Sequence, residues 1–235
     1  MNWQDWRIYC IQTDTKYNSG RIEMNKFIVI EGLDGTGKTT QIKNLAEYLR
    51  SKGEKVHITC EPTETPTGRL IRRVLSGEIP SSPWATAALF LADRINHNTD
   101  EQNGIKKYLN DGYTVISDRY YYSTFAYQGC ETDLEWTMDI HYNCPELVRP
   151  DMVIYLTMPV KKCLERIRAN RPESALEIYE NETSLQKTSE QFDRVFDLIK
   201  DRENIVYIDA SSTVGEVAEA MIDAVKKAVD LRESL

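Results

Sequence analysis

The stretch from Phe27 to Gln41, FIVIEGLDGTGKTTQ, decides the fold. Phe27-Ile28-Val29-Ile30 is a short apolar run rich in β-branched side chains and closed by a glycine cluster, which predicts a strand buried on both faces. From Lys38 to Ser51, Ile42, Leu45, Ala46 and Leu49 recur at three- and four-residue spacing and Gly53 follows as a stop, which predicts a helix. Strand, glycine loop and helix make the first half of a βαβ unit. Between strand and helix, Gly32-Leu33-Asp34-Gly35-Thr36-Gly37-Lys38-Thr39 satisfies G-x-x-x-x-G-K-[ST] in the context that pattern requires. The glycines let successive backbone N–H groups converge on one anion at the positive end of the helix. Lys38 adds a mobile positive charge for the phosphates, and the Thr39 hydroxyl is placed to ligate Mg²⁺. The ligand implied is a nucleoside triphosphate, cradled by Gly32 through Thr40.

Downstream the alternation continues. Strands are predicted at Lys55–Thr59, Tyr113–Ser117, Met152–Thr157 and Ile205–Ile208. Helices are predicted at Thr67–Leu75, Ser82–Asn98, Glu101–Asn110, Val160–Ala169, Thr183–Lys200 and Val214–Leu231. Such an order implies an α/β fold, a five-stranded parallel sheet with helices on both faces and right-handed connections. At the end of the Tyr113–Ser117 strand, Asp118 reads as a turn residue or, given the phosphate loop, as a second anchor for the metal through water. The polar stretch Asn170–Thr183, interrupted by Pro172, reads as a surface loop or as a mobile lid over phosphates, spanning about 168–183.

Composition narrows the function classes. The 235 residues carry 29 Lys plus Arg against 37 Asp plus Glu, a net charge of -8, which argues against nucleic-acid polymers and anionic membranes as partners. Five cysteines without a CxxC pair give neither a disulfide framework nor a zinc site. With no apolar run long enough to span a bilayer and no secretory leader at Met1, a cytoplasmic protein is expected. No N-K-x-D reads guanine, and no H-R-D-x-x-x-x-N marks a protein-kinase loop. Residues 1–23 lie outside every motif. They read as an extension to a single domain at 24–235: a disordered tail, a docking segment using Trp3 and Trp6, or the product of a misassigned start with Met24 the natural one.

Several segments taken together resemble the thymidylate kinase family, nucleotide kinases with the phosphate-loop fold. The matches are FIVIEGLDGTGKTTQ (27–41), EPTETPTGRLIRRVL (61–75), ALFLADRINH (88–97), VISDRYYYSTFAYQG (115–129) and, more loosely, the lid and the terminal IDAS (208–211). The D-R-Y followed by S-T-x-A-Y-Q-G is the most specific of them. The resemblance implies transfer of a phosphoryl group from ATP to dTMP with Mg²⁺, for dTTP synthesis, by a homodimer. It also implies roles. Asp34 would contact the acceptor sugar or magnesium-bound water, and Arg72 and Arg119 would hold the acceptor phosphate. Phe90 would stack on thymine, Arg94 would bond a base carbonyl, Thr124 and Gln128 would read the base edge, and Tyr127 would press on the sugar.

Each role has a rival in the residues themselves. Phe90 shares an apolar helix face that equally suits the core, Arg69, Arg72 and Arg73 equally suit a solvated face, and Gln128 equally suits a turn cap. Of Tyr120, Tyr121, Tyr122 and Tyr127, one or two are expected to be structural. The phosphate loop holds no arginine, so the catalytic arginine is expected on the lid side, at Arg168 and Arg171 rather than Arg166. Cys60 stands where many bacterial members carry arginine, and Arg69 or Arg73 is the expected substitute. Rival functions are a nucleoside kinase and a nucleotide-binding switch without transfer activity.

Overall fold

Phe27–Glu31 (β1) is buried along its whole length, as an apolar run with no polar alternation requires. It is the central strand of a five-stranded sheet with Val56–Cys60 (β2), Thr114–Asp118 (β3), Met152–Thr157 (β4) and Ile205–Asp209 (β5). The computed structural model describes residues 26–170, 179 and 181–233. The expectations for residues 1–23, for Arg171 and for most of the lid fall outside them. Strand order is β2-β3-β1-β4-β5 with every neighbouring pair parallel. Side chains of a strand point alternately to opposite faces, so the near-complete burial of β1, β3 and β4 means that helices cover both faces of the sheet.

Those helices are Lys38–Ser51 (α1), Pro66–Leu75 (α2), Pro83–Thr99 (α3), Ile105–Asn110 (α4), Tyr121–Tyr127 (α5), Leu134–Tyr142 (α6), Val160–Asn170 (α7), Glu182–Ile199 (α8) and Val214–Glu233 (α9). α1 packs against α9, and α5 against α8, which brings Phe192, Val195 and Phe196 into the main core. Thr65 and Ser82 cap α2 and α3 by accepting from Gly68 N–H and Ala85 N–H, and each helix has proline in its first turn.

The structure departs from the sequence reading in three places. β2 and β3 each sit one residue later than predicted, so Cys60 and Asp118 belong to the ladder and are register partners. α4 begins at Ile105 rather than near Glu101 because Asp100 Oδ1 accepts from Gln102 N–H and Asn103 N–H, folding those residues into a turn. Two helices lie where none was predicted. α5 is buried at every position, so it shows no amphipathic period, while the short α6 is started by Asp133, which accepts from Trp136 N–H.

The register fixes where ligands meet the sheet. Ile30 pairs with Asp118, and Asp118 with Cys60, so the carboxyl ends of three strands deliver the phosphate loop, the metal-anchor candidate and the Glu61–Thr65 loop to one edge. α/β sheets bind ligands at that edge.

Candidate active site

The loop between β1 and α1 is shaped by glycine where nothing else fits. Gly35 has φ +84, and a Cβ there would lie 2.5 Å from the Cys163 carbonyl oxygen. Gly35→Ala is therefore expected to lower the unfolding free energy by about 3 kcal/mol, combining backbone strain with a main-chain clash. Urea unfolding checks it, and a loss under about 1 kcal/mol would show that α7 yields instead. Thr36 closes the turn by donating its hydroxyl to Leu33 O at 2.8 Å. Lys38 curls over the loop, donating to Gly32 O and Leu33 O at 3.0 Å each, with Asp34 at 3.7 Å. Leu33 itself is a core side chain, so it and Gly32 contribute through their carbonyls. Thr36, Gly37, Lys38, Thr39 and Thr40 border a cavity of about 500 Å³.

At the floor of this cavity the Thr39 hydroxyl donates to Asp118 Oδ2 at 3.4 Å. The other carboxylate oxygen, Oδ1, is buried without a hydrogen-bond partner among the described residues. A buried acceptor left open beside a hydroxyl, at the end of a phosphate loop, fits a Mg²⁺–triphosphate. Among the described residues no cluster of three or more His, Cys, Asp or Glu could hold a metal alone. The protein would thus share the ion with the nucleotide rather than cage it.

A second cavity, about 240 Å³, adjoins the first, and Asp34, Glu61 and Arg119 border both. Arg119 has φ 71, the left-handed region that a bulky residue enters only when its surroundings compel it. The compelling group is Glu31, whose fully buried carboxylate accepts from Tyr120 N–H (2.9 Å), Ser123 N–H (3.1 Å) and Ser123 Oγ (2.7 Å). Burial pushes Glu31 above the usual carboxylate range, against the pull of Arg119 and these donors. So turned, Arg119 donates to Asp34 Oδ1 at 2.6 Å and Ser123 Oγ at 2.9 Å, and lies 5.2 Å from the Tyr127 ring centre. Burial alone would lower its pKa, but Asp34, Tyr127, Glu31 and Asp118 outweigh it and keep the guanidinium charged.

The second cavity gathers most of the residues expected to hold the acceptor. Phe90 is half-buried in its wall rather than in the core. Arg72, Tyr127 and Gln128 also border it. Gln128 does both things foreseen for it: its carbonyl closes the turn to Glu131 and Thr132 while its side chain meets the cavity. Tyr120, Tyr121 and Tyr122 are all buried, so three of the four tyrosines serve the core rather than one or two.

Four expectations are corrected. Thr124 does not border the cavity; it stands behind Arg94, accepting from Nη2 at 3.2 Å, because α5 buries that position. Arg168 is exposed on α7 and borders neither cavity, whereas Arg166, two residues earlier on the helix, faces the loop and lies 3.4 Å from Gly35 O. Arg69 and Arg73 do not replace the missing arginine at Cys60: they bond Glu64 O and Glu78, and Arg72 is the guanidinium beside that thiol. Asp34 is spanned between Lys38 and Arg119 before any ligand arrives, so its contact to a sugar competes with two cations.

Sequence reasoning missed the supports. Glu31 looked like the last residue of an apolar strand. Asp93 accepts from Thr63 N–H and the hydroxyls of Thr63 and Thr65, tying down the loop that carries Glu61. Glu61 in turn takes Arg94 and His97. Their common signal is a charged residue inside an otherwise apolar stretch, which only burial distinguishes from a surface position.

Two nucleotide-sized cavities meeting at an arginine and an aspartate agree with the comparisons. The thymidylate kinase family profile matches residues 30–221. The chain belongs to the thymidylate kinase family. A probable thymidylate kinase of Thermococcus kodakarensis is 41% identical over 207 residues, covering 84% of this chain and 90% of its own. That of Methanosphaera stadtmanae is 35% identical over 209 residues, 87% of this chain and the whole of its own. One from Thermococcus onnurineus reaches 48% over 150 residues, 60% of this chain and 70% of its own. The thymidylate kinase profile runs from β1 into α9, so it takes in both cavities and every strand of the sheet.

Proposed function

We propose that this chain transfers the γ-phosphoryl group of ATP to dTMP, forming ADP and dTDP. The observation that carries this reading is the wall shared by the two cavities, where Arg119 and Asp34 stand between a phosphate loop and an aromatic-lined acceptor site. A switch protein has no use for the second cavity. A nucleoside kinase has less use for Arg72 and Arg119, whose planar forks suit an acceptor phosphate.

The chemistry asks for positioning and charge neutralisation, with no protein nucleophile. An oxygen of the dTMP phosphate attacks the γ-phosphorus as the bond to the β–γ bridging oxygen breaks. Lys38 neutralises charge on the donor phosphates, and Arg119 screens the acceptor phosphate from the donor. Phe90, Arg94 and Gln128 hold the base, and Tyr127, packed by Tyr179 at 5.6 Å, bounds the sugar. Thr39 and Asp118 would hold Mg²⁺, which supplies Lewis-acid stabilisation of the transferring group.

Acceptor-dependent ADP release tests the reading, with ATP, Mg²⁺ and a panel of nucleosides and monophosphates. Strong stimulation by dTMP and not by thymidine is expected; stimulation by thymidine would favour a nucleoside kinase, and none by any acceptor a switch. The arginine assignment has its own test. Arg166→Ala is expected to raise KM for ATP about ten-fold, the worth of a charge-assisted contact, while Arg168→Ala stays within about two-fold. The reverse order would restore Arg168 to the site.

The reading includes a homodimer, which light scattering checks at working concentration. It also includes a cytoplasmic setting; among the described residues no helix is long and apolar enough to cross a membrane.

A further inference from the structure

Behind the acceptor cavity lies a buried side chain with no task in the mechanism above. His141, in the last turn of α6, is 2% exposed and packs edge-on against Phe125 at 5.5 Å. Its Nδ1 lies 2.8 Å from Thr137 O and its Nε2 2.6 Å from Arg94 Nη1. A carbonyl only accepts and a guanidinium only donates, so the ring carries its proton on Nδ1 and offers the Nε2 lone pair to Arg94. Burial first, and the Arg94 charge second, push His141 down to about 3, so it stays neutral and an acceptor near neutral pH.

Arg94 is 1% exposed and still borders the acceptor cavity. Nε donates to Glu61 Oε2 at 2.7 Å, while Nη2 lies 2.6 Å from the same oxygen and donates to Thr124 Oγ1 at 3.2 Å. With His141 these contacts engage Nε, Nη2 and one hydrogen of Nη1. The donor left for a ligand is the second hydrogen of Nη1. Glu61 fixes only the opposite edge of the guanidinium; His141 holds the nitrogen that carries this donor. Because the group is planar, the two together set the donor's direction.

We propose that His141 is a positioning residue for the acceptor's base: it fixes Arg94 Nη1 so that the remaining N–H meets a ring carbonyl and rejects an exocyclic amine at the same place. The inference rests on the dTMP reading and deepens it. Thymine and cytosine differ in just this way along one edge, and a guanidinium, which has no acceptor, can satisfy only the carbonyl. Selectivity between the bases then depends on a side chain that touches neither.

The test compares His141→Gln with His141→Asn in the full chain. The glutamine amide reaches about as far as Nε2 and can accept from Arg94; the asparagine amide reaches only about as far as Nδ1. His141→Asn is expected to raise KM for dTMP about ten-fold and to shrink the dTMP-over-dCMP preference similarly, leaving kcat and KM for ATP within about two-fold. His141→Gln is expected to stay within about three-fold of the parent throughout. Equal losses in both variants, an unchanged dTMP KM in His141→Asn, or a loss falling on kcat and ATP would overturn the inference, since those are the marks of packing alone or of no role. Absence of dTMP-dependent turnover in the parent chain overturns the dTMP reading and the inference with it; the variant results overturn the inference alone.

Discussion

Lys38→Ala is expected to lower kcat for dTMP-dependent ADP release by about 10³-fold while the protein melts within about 3 °C of the parent. The kinetic loss follows from place and charge. Lys38 is the first residue of α1, and its ammonium sits over the loop that cradles the triphosphate. No other lysine borders the larger cavity. The small effect on stability follows from opposing terms. Removing the side chain takes two hydrogen bonds from Gly32 O and Leu33 O, although Leu33 O keeps Thr36. It also removes a charge that the fold disfavours: burial first and Arg119 second hold Lys38 below the ordinary lysine value, against Asp34, Asp118 and Glu31. A group whose charged form is disfavoured by folding costs stability below its folded pKa, and alanine relieves that cost. Alanine also suits the first turn, and the buried face of Ile42, Leu45, Ala46 and Leu49 is untouched. Steady-state kinetics and a thermal melt on one preparation decide it. Near-parental turnover in folded protein would sink the phosphate-loop assignment.

What the chain discloses before folding divides by range. The βαβ opening was legible because every determinant of β1, the loop and α1 lies within 25 consecutive residues, Phe27 to Ser51, and Lys38–Ser51 is the helix observed. Phe90, Arg72, Arg119 and Gln128 were legible as a set through their motifs, and the sheet brings them to one cavity. Roles decided by direction were not. Arg166 and Arg168 stand two apart on α7, so they face different sides, and only the packing of α7 on the phosphate loop selects Arg166. Thr124 and Gln128 stand one turn apart on α5 and its continuation, yet one is screened by Arg94 and the other is not. Glu31, Asp93 and His141 escaped because each works through partners 30 to 92 residues distant, or 47 for His141, and nothing local marks them.

Arg119→Ala is expected to lower kcat/KM for dTMP by about 10³-fold and to raise KM for ATP as well, because one guanidinium serves both sides of the shared wall. Its partners come from three places: Asp34 in the phosphate loop, Ser123 at the start of α5, and the Tyr127 ring. Lysine cannot substitute for that geometry; a single ammonium reaches Asp34 or Ser123 but lacks the planar fork that holds both, so Arg119→Lys is expected to recover less than about ten-fold of the loss. Without Arg119 the Asp34 carboxylate leans on Lys38, now 3.7 Å away, and draws it from the phosphates, which is why ATP suffers too. A stability comparison separates this chemistry from the fold. Arg119 occupies φ 71, so alanine inherits the strain that arginine bears, whereas glycine relieves it. Arg119→Gly is therefore expected to be about 1 kcal/mol more stable than Arg119→Ala and equally inactive. Urea unfolding and kinetics with each substrate varied in turn measure both quantities. If glycine restores activity along with stability, the residue serves the loop rather than the phosphate; if kcat/KM in Arg119→Ala falls less than about ten-fold, the shared wall is not where transfer is controlled.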